Sequence, residues 1–107
     1  HHAPYSADED DYGDSWSGTS QQGDVAIRKI VPLYEKYGVD MVFFGHLHTY
    51  QRTLPIHQNH VATHKGVIYI QTGGSGGNLE DFAPSRAWFS AKTFRGHHYC
   101  TITVNQD

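Results

Sequence analysis

The stretch Asp40–Arg52, DMVFFGHLHTYQR, decides how this chain folds. Its apolar run Met41–Phe44 is too short for a helix and predicts a buried strand in a sheet covered on both faces. His46 and His48 follow directly. Side chains two residues apart in an extended segment project to the same side, and ligands of open α/β sheets bind at the carboxyl ends of the strands. The segment therefore predicts a strand that delivers two histidines to a binding site.

The spacing of this histidine pair allows more than one arrangement of metal ions. A single ion could take both imidazoles, or a turn after Gly45 could direct them to two ions about 3.5–4 Å apart, as in two-metal hydrolases. Gly45 would then adopt a positive φ and let the backbone approach the ions. An incidental H-x-H in a loop is the alternative for the tripeptide alone. The preceding strand favours a metal site.

The residues before this strand predict one amphipathic helix that ends at Gly38. Pro32 should kink this helix or mark its true first turn. Residues 3–24 are acidic and rich in glycine and serine, which predicts a long surface loop. The apolar positions that carry the helical spacing are Val25, Ile27, Ile30, Val31, Tyr34 and Tyr37.

The residues after the histidine pair predict further short strands. Arg52–His57 is a possible extended segment, Val67–Thr72 is a strand by composition, and Tyr99–Val104 alternates like a final strand. The segment Asn78–Phe94 is ambiguous. The glycine loop Gly73–Gly77 is better explained as a turn that ends a strand than as a phosphate cradle. A helix followed by such strands indicates an α/β fold.

Length and charge restrict the function classes. The 107 residues suit a single domain. A net charge of -3, without a basic run, argues against a nucleic-acid partner, and an anionic ligand would need positive charge from bound metal ions. The longest apolar runs fall far short of the ~20 residues that span a membrane, so no membrane partner is expected. No signal peptide is visible, and the start at His1 and His2 suggests either the middle of a longer protein or tag remnants.

The histidine pair belongs to a longer pattern. The run GHLHTYQR resembles the G-H-x-H-x-Y-x-R signature of calcineurin-like metallophosphoesterases of the purple acid phosphatase type. Upstream, HHAPYS is similar to the preceding signature of that family, with His2 at the position of a metal ligand and His1 as its neighbour. Downstream, GVIYIQTGGSGGNLE is similar to the strand and glycine loop that follow. The resemblance covers nearly the whole chain in the family's order.

This resemblance implies a site and a reaction. His2 and His46 would bind one metal ion, and His48 would bind a second. The cofactors implied are two divalent or trivalent ions, iron with zinc, manganese or a second iron, with the identity left open. The reaction implied is metal-dependent hydrolysis of phosphate monoesters by water, with a phosphate ester as substrate. The supporting residues implied by the same signatures are His1, Gly45, Tyr50 and Arg52.

The resemblance also implies the architecture and an incomplete centre. Residues 1–107 would form the C-terminal part of a single catalytic domain, namely the C-terminal half of an αββα sandwich with a mixed sheet and one main helix. The family's signatures D-x-H, G-D-x-x-Y and G-N-H-E do not occur in this sequence. The missing N-terminal half would therefore be a partner, packed on an exposed sheet face. Without it, the chain is predicted to be inactive.

Several residues depart from the family pattern. The acidic stretch Asp8–Tyr12 stands where plant relatives carry a histidine pair, so the acid that protonates the leaving group is unknown, and a solvated charge run is the simpler interpretation. Gln51 replaces a frequent glutamate. The remaining histidines, His57, His60, His64, His97 and His98, are interpreted as ordinary surface or hydrogen-bonded residues.

Two other functions compete with the phosphatase. An amidohydrolase would also place H-x-H after a strand, but there the motif opens a barrel of about 250 residues. A non-catalytic metal-binding remnant or interaction module of the same fold remains as the alternative. A secreted or periplasmic location is favoured by the resemblance only.

Overall fold

A four-stranded mixed sheet forms the centre of the fold, in a computed structural model that describes residues 1–8 and 21–106. One α-helix, α1 (Val31–Lys36), follows a 3-10 turn at Ile27–Ile30. Among the described residues, no helix has the length and apolar content needed to cross a bilayer. The strands are β1 (Met41–Phe44), β2 (Tyr50–Thr53), β3 (Ile56–His57), β4 (His60–Val61), β5 (Ile68–Thr72) and β6 (Ser90–Phe94).

The order of strands in the main sheet is β1-β5-β2-β6, and β3 pairs separately with β4. Strands β1 and β5 are parallel, with Phe44 opposite Gln71, whereas β2 is antiparallel to both β5 and β6. Parallel strands end at the same edge of a sheet, so the loop after β1 and the glycine loop after β5 meet there. The predicted α/β fold, with a mixed sheet and one helix, is confirmed.

The helix is shorter and less buried than its apolar spacing predicts. Residues 25 and 26 form a turn, and α1 begins at Val31 with Pro32 in its first turn, as one of the two interpretations of this proline requires. Gly38, with φ of 66°, ends it as predicted. Only Val31 of the predicted apolar stripe is buried, while Tyr37 is 74% exposed. The apolar spacing therefore predicts more buried helix residues than this chain has.

The two faces of the sheet differ in how they are covered. One face packs against α1 and the N-terminal segment. On the other face, Met41 is 48% exposed and Phe43 is 43% exposed. The prediction that β1 is covered on both faces is therefore wrong for this chain, while the exposed sheet face expected from the resemblance is present. The main buried residues of the core are Ala3, Tyr5, Val31, Phe44, Ile56, Val67, Tyr69 and Phe89.

The N-terminal segment corrects the prediction of a surface loop over residues 3–24. Residues 3–8 have no regular structure, but all are buried. The Tyr5 ring packs against Tyr69 and Phe89, with ring centroids 5.0 and 5.5 Å apart. The backbone N–H of Ala7 donates to the Gln51 side chain at 2.7 Å. Residues 9–20 lie outside the described residues, so the prediction is not tested there.

The predicted final strand at Tyr99–Val104 is also wrong. These residues have no ladder partner and are exposed, with Tyr99 at 89%. The last strand is β6, inside the segment Asn78–Phe94 that the sequence left ambiguous. Residues 99–102 instead border a groove on the open face of the sheet. Alternating side chains satisfy strand propensity, but the sheet already ends at β6.

Candidate metal centre

Three imidazoles meet beside the carboxyl end of β1. His1, His2 and His46 each offer one nitrogen, and these atoms all lie within 4.8 Å of one another. The Nε2 atom of His1 lies 3.2 Å from the Nδ1 atom of His46, and the rings of His2 and His46 are 4.1 Å apart between centroids. The fold thus brings together His2 and His46, the two ligands that the resemblance assigns to one ion. It also places His1 beside them.

The turn after β1 presents His46 through an unusual backbone conformation. His46 has φ of 79°, whereas Gly45 is not among the residues with positive φ, so the prediction for Gly45 is wrong. The buried side chain of Gln71 donates to the carbonyl oxygens of Gly45 and Leu47, the latter at 2.9 Å. Left-handed backbone is unfavourable for a residue with a Cβ. The two hydrogen bonds on either side of His46 therefore stabilise the conformation that aims its ring at the other histidines.

The backbone of the N-terminal segment is fixed against this turn. The N–H of Gly45 donates to the carbonyl oxygen of His1 at 3.2 Å, and the N–H of Asp24 donates to that of Ala3 at 2.9 Å. Gly23 has φ of 118°, and a Cβ there would lie 2.3 Å from the Pro4 carbonyl oxygen. Only glycine fits this approach, which holds the Asp24 segment against the histidine segment.

Asp24 orients the His2 ring. Its Oδ2 lies 3.2 Å from Nδ1 of His2, while its Oδ1 accepts the backbone N–H groups of Ala26 and Ile27 at 2.8 and 3.2 Å. Burial acts to raise the pKa of Asp24, but the hydrogen bonds from His2 and these two N–H groups outweigh it and hold the pKa below its ordinary value. The ionised carboxylate keeps the proton of neutral His2 on Nδ1, which leaves the Nε2 lone pair as the ligand atom.

The surroundings of His46 favour the neutral form of its ring, which is the form that binds metals. Partial burial of the ring, followed by the nearby His2, lowers the pKa of His46. Imidazoles packed this closely disfavour one another's charged forms. His46 therefore offers a nitrogen lone pair more readily than an isolated imidazole would.

His48 lies apart from these three rings. Its Nδ1–H donates to the carbonyl oxygen of Asn78 at 2.7 Å, and its backbone N–H donates to Glu80 Oε2 at 2.5 Å. A Cβ on Gly77 would lie 2.4 Å from the His48 ring, so the glycine loop lets the ring settle against its backbone. Within the described residues, the group of potential metal ligands contains His1, His2 and His46 and does not include His48.

Asp8 occupies the interior beneath the histidine turn. It is 1% exposed, and both of its carboxylate oxygens accept from the Thr49 hydroxyl at 3.1 Å. Burial raises the pKa of Asp8 to about 7, aided by the nearby charges of Glu80 and Asp81. Gln51, which replaces the frequent glutamate, donates from Nε2 to Ser6 and Thr49 in the same network. The solvated interpretation of the acidic stretch is therefore wrong for Asp8, while Glu9 to Tyr12 lie outside the described residues.

The other residues named from the sequence lie elsewhere. Tyr50 and Arg52 border the groove on the open face of the sheet, where the Tyr50 ring contacts His98 at 5.6 Å between centroids. Their supporting role stays a prediction. The interpretation of several distant histidines as hydrogen-bonded residues agrees with the structure, since His57 pairs with Glu35 at 3.4 Å and His98 contacts Thr72 at 3.1 Å.

The three grouped histidines fit one bound metal ion, and His48 supplies a single ligand for a second ion. Three imidazole nitrogens within 4.8 Å suit zinc, iron and other ions that accept imidazole. His48 has its Nδ1 proton fixed by Asn78, so its Nε2 lone pair is the available ligand atom. A second ion would need further ligands beyond His48.

A parallel strand that ends in a G-H-x-H turn, with a second histidine segment packed beside it, is the arrangement expected of the metallophosphoesterase class. The chain is 34% identical over 97 residues to "Probable inactive purple acid phosphatase 27" of Arabidopsis thaliana, which covers 82% of this chain and 15% of that protein. It is 31% identical, over 82% of this chain and 25% of the relative, to "Nucleotide pyrophosphatase/phosphodiesterase" of Hordeum vulgare. No protein-family model matches the chain.

A solved structure agrees with these relatives. The purple acid phosphatase from yellow lupin (Lupinus luteus) seeds superposes with a TM-score of 0.69 and 28% identity, over 87% of this chain and 17% of that protein. The chain is therefore homologous to the purple acid phosphatases and has the fold of part of one. It spans between 15% and 25% of the length of the relatives and structure compared.

Three residues around the histidines were not predicted from the sequence. Asp24 belongs to none of the family signatures, although an aspartate just before a helical pattern is a recognised start signal. Gln71 lies within a predicted strand, and its contact with the turn depends on pairing of β1 with β5. Glu80 had no signal beyond the similarity of its segment to the family.

Proposed function

We propose that this chain is the histidine-bearing C-terminal part of a metallophosphoesterase domain that hydrolyses phosphate monoesters. In this proposal, His2 and His46 hold one metal ion and His48 contributes to a second. The observation that carries the proposal is the meeting of His2 and His46 beside the carboxyl end of β1 in a chain homologous to purple acid phosphatases.

The bound ions would supply Lewis-acid chemistry, polarising phosphoryl oxygens and lowering the pKa of bound water. The chain's own residues prepare the ligands for this. Asp24 fixes the tautomer of His2, Gln71 stabilises the turn that carries His46, and Asn78 fixes the ring of His48. Such preorganisation reduces the cost of gathering ligands around an ion.

Carboxylate ligands are the part that this chain does not supply. The family signatures that bear them are absent from its 107 residues, and the three-histidine group contains no acidic member. We therefore propose that the N-terminal half of the same domain completes the centre, packing on the sheet face where Met41 and Phe43 are exposed. The chain by itself should then have little or no phosphatase activity.

A non-catalytic metal-binding module of the same fold is the second candidate. The name of the Arabidopsis relative describes that protein as probably inactive, whereas the barley relative is named as a phosphodiesterase. The names of these relatives therefore agree with either candidate.

The deciding experiment compares this chain with the longest protein encoded in frame with it. The DNA on the 5′ side of the His1 codon is sequenced, and the longest in-frame product is expressed and assayed with p-nitrophenyl phosphate. We expect D-x-H, G-D-x-x-Y and G-N-H-E signatures upstream, turnover by that product, and loss of turnover in His46→Ala. The 107-residue chain alone should not exceed a protein-free control. An upstream region without these signatures, or a signature-bearing product without turnover, would favour the non-catalytic module.

A further inference from the structure

We infer that His1 is a third nitrogen ligand of the ion held by His2 and His46, so that this chain binds one divalent ion through three imidazoles. The inference deepens the proposed function and rests on its assignment of His2 and His46 to one ion. The family signature makes His1 only the neighbour of a ligand, so its participation is a property of this chain's own geometry.

The separation of the nitrogens supports a shared ion. Nε2 of His1 and Nδ1 of His46 are 3.2 Å apart and share a hydrogen bond, whose proton a shared ion would replace. In a tetrahedral zinc site with Zn–N distances of about 2.0–2.1 Å, two nitrogen ligands are about 3.3–3.4 Å apart. The two imidazoles thus already stand at nearly the spacing that a shared zinc ion requires. The nitrogen offered by His2 lies within 4.8 Å of both.

The backbone holds His1 at this position. Its carbonyl oxygen accepts the N–H of Gly45, and its ring lies over the same residue, where a Cβ would stand 3.7 Å from the His1 ring. Ring and main chain of His1 are therefore both placed against the turn that carries His46. A flexible surface histidine would not need both contacts.

The surroundings suit a site with an open position. His1 and His46 are exposed and His2 is half-buried, so the side of the group away from the sheet faces solvent. Three protein ligands with an open fourth position are the pattern of catalytic zinc sites, as opposed to closed structural ones. The carboxylate of Asp24, hydrogen-bonded to His2, would add negative charge near a bound ion through that histidine.

The test measures metal binding and needs no catalysis. Zinc affinity is determined by titration calorimetry, and cobalt(II) absorption reports the coordination geometry. The variants are His1→Ala, His46→Ala and, as matched control, His60→Ala at an exposed histidine whose Nδ1 bonds to the Gln58 carbonyl. Circular dichroism confirms that each variant is folded.

We expect one zinc ion per chain and intense cobalt bands of a tetrahedral site. His1→Ala should weaken zinc binding by more than about tenfold, since even indirect partners of metal ligands change affinity about 10–100-fold. His60→Ala should bind like the wild type. The inference is overturned if His46→Ala weakens binding while His1→Ala does not, which would leave the proposed function intact. If the wild-type chain binds no zinc, the inference fails, while the assignment of His2 and His46 to an ion is decided separately by the His46→Ala variant of the longer in-frame product.

Discussion

Replacing the buried Asp8 by asparagine should remove a pH dependence of folding that the wild-type chain owes to this carboxyl. Burial raises the pKa of Asp8 from 3.8 to about 7 in the folded state. The folded chain therefore binds this proton more tightly than the unfolded chain does. The stabilisation from Asp8 is fully present below pH 3.8, decreases as the pH rises, and is lost above about pH 7.

The size of this effect follows from the difference between the two pKa values. At about 1.4 kcal/mol per pKa unit, the free energy of unfolding should fall by on the order of 4 kcal/mol between pH 4 and pH 8 because of Asp8 alone. Asparagine keeps a carbonyl acceptor for the Thr49 hydroxyl and has no charge to bury. Asp8→Asn should therefore match the wild type near pH 4 and exceed its stability at pH 8.

Urea unfolding at both pH values, followed by tryptophan fluorescence, measures this difference. Other titrating groups affect both proteins alike and cancel in the comparison. Asp40→Asn, at an exposed carboxyl, serves as the control and should show no such pH-dependent gain. An equal stability difference between Asp8→Asn and wild type at pH 4 and pH 8 would refute the reasoning, because it would mean that Asp8 does not titrate differently in the two states.

Substitutions at three further positions test the surroundings of the histidines. Gln71→Leu removes two hydrogen bonds to the histidine turn and should lower the free energy of unfolding by about 1–2 kcal/mol in urea titrations. Unchanged stability would show that these hydrogen bonds do not stabilise the turn. Gly77→Ala brings a Cβ against the His48 ring and should cost about 1–3 kcal/mol and shift the His48 imidazole resonances in NMR spectra, whereas a silent spectrum would contradict the contact. Asp24→Ala should weaken zinc binding about 10–100-fold by calorimetry, with Asp24→Asn intermediate; equal affinities in all three proteins would show that Asp24 does not orient His2.

The sequence predicted best those elements that depend on a pattern within a few neighbouring residues. The run Met41–Phe44 became β1, Ile68–Thr72 became β5 within a predicted strand, and Gly38 ended the helix. Each of these depends on composition and turn chemistry over a few residues. The same patterns were misleading where burial depends on distant contacts, as for the helix residues that remain exposed.

Long-range placement accounts for what the sequence could not predict. Asp8 looked like the start of a solvated acidic run, yet pairing with Phe82 and the Thr49 contact carry it into the interior. Tyr99–Val104 has the alternation of a strand, but among the described residues it pairs with neither edge strand of the sheet, β1 or β6. The signature residues indicated His2, His46 and His48 as ligands, while the separation of His48 from the other rings depends on a hydrogen bond to Asn78 across a loop.

The left-handed backbone at His46 also limits how this position can change during evolution. Glycine, asparagine and aspartate tolerate such a φ, whereas valine, isoleucine and threonine are strained there. A lineage that loses the need for a metal ligand can therefore replace this histidine easily only by a few small residues. We expect copies of this domain that no longer bind metal to carry glycine, asparagine or aspartate at the position of His46. The replacing residue would then still show that a ligand was lost there.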